Sequence, residues 1–236
     1  MRHLKGFWHC LPVLLVAAAC QPLPAPQPPT RALAWPVFDY QAAAASGQRV
    51  YRLVPEESQV DIVVRRGGPL ARFGHDHVIV AGDLEGWAYW PDDPAQARAE
   101  LRIAVAGLEV DDPEARGRYS FATQPSPDAI EGTRHNMLEK VLEAGNWPYV
   151  TVTASKPVSD PDGWHATVAF TVKDHTTTLS LPLHVTVDQR RLQSAGSFEV
   201  NHADLGLEPF SALAGALQVA DPIEFHFAIV AARVDP

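Results

Sequence analysis

The chain has 236 residues, of which 46% are hydrophobic and 20% are charged, and its formal net charge at pH 7 is -9. This composition is typical of a globular domain of ordinary size and excludes a fibrous or wholly disordered chain. Because the chain is acidic and has no run of Lys and Arg residues, we exclude nucleic acid as a partner.

Residues 1–19 have the build of a secretory signal peptide. Arg2 and Lys5 precede an apolar run from Leu11 to Ala19. The run is shorter than the roughly 20 apolar residues that a membrane-spanning helix needs, so it indicates export and not a permanent span. We therefore predict that residues 1–19 are a signal peptide.

The segment "AAAC" ends this run at Cys20. It resembles the lipobox of bacterial lipoproteins, in which small residues precede a cysteine that is diacylated. The other cysteine, Cys10, lies inside the predicted signal, so the mature chain would form no intramolecular disulfide. We predict that Cys20 is a lipid anchor, with an ordinary secretory signal as the alternative. Gln21, where an Asp would retain a lipoprotein at the inner membrane, favours the periplasmic side of the outer membrane.

Proline is dense after Cys20, and this density predicts a semi-rigid extended tether over residues 20–48. From residue 49 to residue 236 the sequence consists of short segments in which apolar and polar residues alternate, separated by turn residues. Such alternation is typical of an antiparallel sheet with one buried face. About eight such strands predict an all-β sandwich or barrel.

The inward positions of these strands are rich in Leu, Val, Ile and Phe. They include the aromatic residues Phe170, Phe198, Phe225 and Phe227. Periodicity alone leaves open whether these side chains fill a solid core or line a cavity.

One segment of the predicted domain reads as a short α-helix. Apolar residues recur at helical spacing between Met137 and Leu142, after Thr133 as a candidate N-cap and before a stop at Gly145. The region from Asp111 to Gly132 is rich in Asp, Pro, Gly and Ser, which predicts a long loop.

Six segments, in this order, resemble those of the YceI-like polyisoprenoid-binding proteins. They are "YRLVPEESQVDIVVRRGG", "AGDLEGW", "RHNMLEKVLEAGNWPYVTVTAS", "FTVKDHTTTLSLPLHVTV", "SFEVNHADLGLEP" and "LQVADPIEFHFAIVAAR". The resemblance runs from Arg49 to Arg233. It implies an antiparallel lipocalin-like β-barrel whose long apolar cavity holds a polyisoprenoid chain, such as a quinone tail or a prenyl carrier lipid.

Five of the ten histidines lie where a turn or strand end meets one of these segments. They are His75, His77, His135, His175 and His202, and each stands at a position where the family does not lead us to expect histidine. In an extended segment His75 and His77 point to one face, and Asp76 points away.

Three roles for these histidines stay open. In the first, they contact the polar head group of a ligand together with Arg134. In the second, His75, His77 and His135 form a transition-metal site. In the third, they shape turns. No activated nucleophile and no marked carboxylate pair stands out, so we expect no enzyme.

We therefore expect a periplasm-facing lipoprotein that binds an isoprenoid-type lipid or quinone in its barrel. The alternative is a metal-binding or redox-linked periplasmic protein that uses the histidine cluster.

Overall fold

The structure, a computed structural model, describes residues 35–161 and 163–235. The predicted signal peptide, Cys20 and most of the predicted tether lie outside the described residues. Within the described ranges, no helix has the length and apolar character that crossing a membrane would require.

The described residues form short helices and a large sheet. The helices are α1 (Tyr40–Ala45), α2 (Pro113–Gly117) and α3 (Pro127–Asn136), and α3 continues directly as a π-helical turn (Met137–Val141). The strands are β1 (Val50–Leu53), β2 (Gln59–Val64), β3 (Arg66–Gly67), β4 (His77–Ala81), β5 (Leu84–Tyr89), β6 (Arg98–Ala104), β7 (Leu108–Val110), β8 (Tyr149–Asp160), β9 (Gly163–Val172), β10 (His175–Val187), β11 (Arg191–Val200), β12 (Ser211–Ala212), β13 (Leu217–Val219) and β14 (Ile223–Arg233).

Eight antiparallel strands close into a barrel in the order β1-β5-β6-β8-β9-β10-β11-β14, and β14 pairs back onto β1. Because the barrel is closed, each of these eight strands has a neighbouring strand on both sides. No strand edge in the closed ring is left free for edge-to-edge aggregation. The predicted all-β, lipocalin-like antiparallel barrel of about eight strands is confirmed.

Strand β14 is the point where the sheet branches. Its C-terminal part pairs with β1, from Leu53↔Ala231 onward, and its N-terminal part pairs with β2, which carries β4 and β7 beside it. At the break between β1 and β2, the Ser58 hydroxyl accepts from Val230 N at 3.0 Å and donates to Val54 O at 2.8 Å. Ser58 therefore satisfies backbone groups that the interrupted ladder would leave unpaired.

The N-terminal part of the described chain packs on the outer wall of the barrel. Residues 35–48 include α1, whose Tyr40 is only 1% exposed. The buried Glu100 carboxylate accepts from Val37 N at 2.6 Å and from Phe38 N at 2.9 Å. The described part of the predicted tether, residues 35–48, therefore packs against the barrel through these contacts.

The helix α3 begins earlier than its sequence pattern predicts. Its N-cap is Ser126, which accepts from Ala129 N, and Pro127 occupies the first turn, where proline needs no hydrogen-bonding partner. Thr133 lies inside the helix and donates to Ala129 O at 2.9 Å, so it is not the N-cap. The predicted loop over residues 111–132 was wrong for α2 and the start of α3, because Pro113 and Pro127 occupy the first turn of each helix, where proline is compatible with a helix.

A buried carboxylate fastens the loop after β7 to the outer face of β2. Asp61 is fully buried and accepts two hydrogen bonds from the Arg118 guanidinium, at 2.9 and 3.0 Å, and one from the Tyr119 hydroxyl at 2.9 Å. Burial, followed by the contact with Asp61, raises the pKa of Tyr119 to about 12. Tyr119 therefore remains a neutral donor at physiological pH.

Replacing Asp61 by Asn should lower the free energy of unfolding by about 2–4 kcal/mol, because Arg118 loses its compensating charge in a partly buried site. The matched control is Glu85→Gln, which breaks the more exposed Arg102–Glu85 pair. It should change stability by less than about 1 kcal/mol. Urea denaturation measures both values, and equal losses would contradict the assigned role of Asp61.

Candidate functional site

The barrel encloses a cavity of about 600 Å³. Its lining comes from the inward positions of the strands and from one face of α3. The inward side chains Phe198, Phe225 and Phe227 keep accessible surface although they point into the barrel, because they border this space. The barrel is therefore hollow, and the alternative of a solid core does not hold.

The four phenylalanines predicted at inward positions, which a ligand in the barrel would contact, all line the cavity. The ring of Phe198 stacks on Phe225 with centroids 4.8 Å apart and lies 5.3 Å from Phe170 and 6.5 Å from Phe227. They form a continuous aromatic wall across β9, β11 and β14. We name this set, Phe170, Phe198, Phe225 and Phe227, the phenyl wall.

Strand β11 gives the phenyl wall its space. A Cβ atom added to Gly196 would lie 2.9 Å from Cζ of Phe227, closer than real Cβ contacts. Glycine therefore lets the Phe227 ring lie against the strand. The next inward residue toward the N-terminus of β11 is Ser194, which is also small and lines the cavity.

One end of the barrel is closed by side chains. Tyr51 is fully buried against Leu192, Ala231 and Ala88. Its hydroxyl donates to Asp188 O at 2.7 Å, in the turn between β10 and β11. This hydrogen bond satisfies the only polar atom of the Tyr51 side chain, so the ring can fill the end of the barrel.

The cavity reaches the surface at the opposite end. Phe73 lines it and is nevertheless 64% exposed, and Gln218 also lines it and is exposed. Both belong to a small structure over this end, in which β13 pairs with β12 and with β3. We name residues 66–74 and 211–219 the cap, and the opening beside Phe73 the mouth.

Most polar groups of the cavity lining lie at the mouth end. They are Arg65, Arg66, His75, His77, Thr133, Asn136, His202 and Gln218. The cavity is therefore amphiphilic along its length, with the phenyl wall deeper and the polar groups near the mouth.

His75 and His77 lie together in this lining, with ring centroids 6.2 Å apart. Asp76 between them turns away and accepts from Arg66 N at 3.0 Å. Nδ1 of His75 is buried and has no partner in the described structure. Burial, and then the neighbouring His77, lower the pKa of His75 below its ordinary value. His75 is therefore a neutral imidazole at pH 7 with an unused ring nitrogen.

A buried carboxylate orients His77. Asp111 Oδ2 lies 2.5 Å from Nδ1 of His77, and Oδ1 accepts from Arg116 and from Val78 N. Burial acts to raise the pKa of Asp111, but the hydrogen bonds from His77, Arg116 and Val78 outweigh it and hold this pKa below its ordinary value. Nδ1 of His77 therefore carries a proton, and Nε2 lies 3.3 Å from the Thr133 hydroxyl.

His202 is oriented in a similar way. Nδ1 of His202 lies 2.5 Å from Oδ1 of Asp221, and the same oxygen accepts from the backbone N of His202 at 2.9 Å. Burial acts to raise the pKa of Asp221, but these hydrogen bonds hold it below its ordinary value. His202 is only 4% exposed, so its ring is fixed in the cavity lining.

Three predicted head-group residues lie outside the cavity lining. Residues 129, 133 and 136 of α3 and residue 137 of the π-helical turn line the cavity, so the helical repeat directs Arg134 and His135 elsewhere. Arg134 donates to Ala106 O at 2.9 Å, and His135 is exposed. His175 is exposed at the start of β10, with Nε2 3.2 Å from Asp204 O. The structure removes these three residues from the predicted head-group site.

The predicted metal site at His75, His77 and His135 is not formed. Among residues 35–161 and 163–235, no three His, Cys, Asp or Glu side chains are grouped so that they could hold a metal ion. The acids nearest His77 and His202 are engaged by the hydrogen bonds described above.

A family model described as "YceI-like domain" matches residues 51–231, which is most of the chain. The chain belongs to the YceI-like family. Its fold is similar to BcnA of Burkholderia cenocepacia, with a TM-score of 0.56 and 14% identity over 75% of this chain and 98% of that chain. It is also similar to a polyisoprenoid binding domain from Saccharophagus degradans, with a TM-score of 0.54 and 12% identity over 78% and 98%. A comparison with curated proteins found no match.

Sequence reasoning missed several polar residues of this YceI-like site. Asp111 was predicted to lie in a loop, Thr133 was predicted only as a helix N-cap, and Asp221 and Asn136 were not assigned a role. Asp111 has a left-handed backbone with φ of 58°, which Asp adopts more readily than most residues. Nothing in the sequence indicated that this turn would bring its carboxylate to a histidine more than 30 positions earlier.

Asp111→Asn should lower the stability of the YceI-like domain by about 2–4 kcal/mol near pH 7, because Arg116 loses the buried charge that compensates it. A carboxyl with a lowered pKa stabilises the fold above its ordinary pKa and loses this contribution as pH falls. The difference between wild type and variant should therefore shrink below the ordinary value of 3.8. Denaturation curves across pH measure it, and a constant difference would contradict the ionised Asp111.

Proposed function

We propose that this YceI-like protein binds one isoprenoid-type amphiphilic lipid in its barrel, with the tail along the phenyl wall and the head group at the mouth. The observation that carries the proposal is the cavity of about 600 Å³ with apolar walls and polar groups at one end. Its volume lies within the range of about 300–1,000 Å³ that is typical of ligand pockets. The Saccharophagus degradans neighbour is described as a polyisoprenoid binding domain, which supports this ligand class.

The walls favour a hydrocarbon tail over a charged substrate. No Asp or Glu is among the described residues that line the cavity. Each CH₂ group transferred from water to such a wall contributes about 0.8 kcal/mol. A branched isoprenoid tail in contact with Phe198, Phe225 and Phe227 would therefore gain most of its binding free energy below the mouth.

The mouth offers hydrogen bonds to a compact polar head group. The side chains of His75, Thr133 and Asn136 line the same end of the cavity. A neutral imidazole can donate to a quinone carbonyl or to an oxygen of a prenyl carrier. Both head groups fit these donors, and identification of the bound lipid distinguishes them.

The site is proposed to bind its ligand without chemical change. The arrangement of a carboxylate, an imidazole and a hydroxyl in Asp111, His77 and Thr133 resembles that of a hydrolase triad. The Thr133 hydroxyl, however, is closer to Ala129 O, at 2.9 Å, than to Nε2 of His77, at 3.3 Å. Its proton is therefore directed to the helix backbone, which disfavours activation of Thr133 as a nucleophile.

The proposed location is the periplasmic side of the outer membrane, with Cys20 as the lipid anchor. The support comes from the signal-like residues 1–19, the small residues before Cys20 and the absence of Asp at position 21. Two acyl chains on a single cysteine would hold a protein stably at a membrane.

The chain from Ala32 onward, which is one compact unit, should yield a bound lipid after detergent-free purification. Organic extraction and mass spectrometry identify it. Ser194→Phe should reduce bound lipid at least about tenfold, because the ring occupies the space of the tail below the mouth. The matched control, Ser197→Phe, places the same ring on the exposed outer face of β11 and should keep the lipid.

Two results would reject the lipid-binding proposal. One is an empty cavity in a folded protein that also takes up no quinone or prenyl lipid. The other is equal lipid content in the Ser194→Phe and Ser197→Phe variants, provided that both keep the unfolding transition of the wild type.

Cys20→Ser in the full chain should abolish labelling by an alkyne fatty acid and release the protein from the membrane fraction. Labelling followed by membrane fractionation measures both effects. Cys10→Ser is the matched control and should change neither, because Cys10 lies within the predicted signal. Persistent labelling of the Cys20→Ser variant would contradict the proposed anchor.

A further inference from the structure

Two large hydrophobic side chains are exposed on the cap. Phe73 is 64% exposed and Leu213 is 69% exposed. Isolated exposed apolar residues are common on soluble proteins. These two belong to segments in direct contact, because Leu70 N donates to Ala216 O at 2.8 Å. One of them, Phe73, also lines the lipid-sized cavity, so the exposed apolar surface is continuous with the cavity wall.

The backbone of the cap holds these side chains outward. Gly68 has a φ of 85°, and a Cβ atom there would lie 2.7 Å from Ala216 O, so only glycine permits this close approach. At the tip of the other segment, Leu213 and Ala214 have φ values of 52° and 55°. This left-handed conformation is unusual for Leu, and it occurs where the side chain projects into solvent.

Basic side chains flank the exposed apolar surface. The Arg72 guanidinium lies 4.5 Å from the Phe73 ring centroid, and Lys140 Nζ lies 5.5 Å from the ring centroid of Phe210, which lines the cavity. Within residues 35–161 and 163–235, neither Arg72 nor Lys140 forms an ion pair with an acidic group. Two positive charges that form no ion pair therefore stand beside the mouth of a protein whose net charge is -9.

We propose that the cap is a membrane-docking surface. Phe73 and Leu213 insert at the boundary between head groups and acyl chains of a bilayer, and Arg72 and Lys140 contact lipid phosphates. The mouth beside Phe73 then faces the bilayer, and the lipid ligand passes between membrane and cavity without crossing water. Only this last step rests on the proposed lipid-binding function, since docking itself needs no ligand.

The dimensions of the surface favour a bilayer over a protein partner. A stable protein interface buries about 800 Å² on each partner, with many residues on each side. The cap instead presents two projecting apolar tips and two nearby cations. A few apolar side chains flanked by Lys and Arg are the elements that hold proteins at membrane interfaces.

Vesicle binding by the chain from Ala32 onward tests the proposal, because this compact unit lacks Cys20 and any binding must come from its own surface. The probe is sedimentation with vesicles of phosphatidylcholine containing about 30% phosphatidylglycerol. Phe73→Ser combined with Leu213→Ser should lower the partition coefficient at least about tenfold. The matched control, Val37→Ser with Val158→Ser, alters side chains that are 79% and 65% exposed away from the cap and should have no effect.

The charged groups have a separate readout. Arg72→Gln combined with Lys140→Gln should weaken binding to the anionic vesicles by about fivefold for each charge removed, and should leave binding to pure phosphatidylcholine unchanged. The wild type should also lose affinity for the anionic vesicles as salt is raised.

Fluorescence locates the inserted side chain even if the double serine variant fails to fold. Because the chain has native tryptophans, quenching by bilayers with brominated acyl chains is compared with that of the wild type. Phe73→Trp should add quenched fluorescence, and Val158→Trp should add fluorescence that is not quenched. Absence of vesicle binding by the wild type, equal losses in the cap and control variants, or equal quenching at both positions would overturn the proposal. Lipid extraction reports on the cavity independently, so a protein that docks but contains no lipid would reject the proposed function and keep the docking surface.

Discussion

The structure depends on how a single strand, β14, divides its hydrogen bonds. Along one edge it pairs with β11 over its length, and along the other it pairs first with β2 and then with β1. The pairing with β1 closes the barrel around Tyr51. The pairing with β2 diverts the sheet into β4 and β7 and leaves the other end wide enough for α3 and the cap. One branched ladder thus produces both the closed end and the mouth.

The branch also explains why the polar groups meet at the mouth. His77 begins β4 opposite Val64 of β2, and Asp111 follows β7, the next strand of the same branch. Their hydrogen bond therefore joins two elements that exist only because β2 leaves the barrel. Arg116 binds the same carboxylate and Thr123 O, and so fixes the following loop. This network holds His77 at the mouth, whereas His202 is held by Asp221 beside the barrel strands β11 and β14.

The parts of the fold that could be predicted are those with local signals. Alternating apolar residues predicted the strands and the inward Phe170, Phe198, Phe225 and Phe227. The pairing of His75 with His77 followed from their spacing of two. Sequence could not show which side of α3 faces the cavity, because that depends on a helix start at Pro127 that was missed. Thr133 was therefore predicted as the N-cap and Asn136 was given no role, whereas Arg134 and His135 were assigned from their positions in the family-like segments. The hollow interior also had no local signal, since inward apolar residues look alike in a core and in a cavity.

The buried Tyr51 at the closed end has a consequence for ligand choice. A barrel with one entrance admits a long amphiphile only tail first, and the tail must stop where Tyr51, Leu192 and Ala231 meet. A chain longer than this depth must fold back within the cavity or remain partly outside it, in contact with whatever lies beyond the cap. The position of one tyrosine ring thus sets the depth to which the tail of the proposed ligand can enter the cavity.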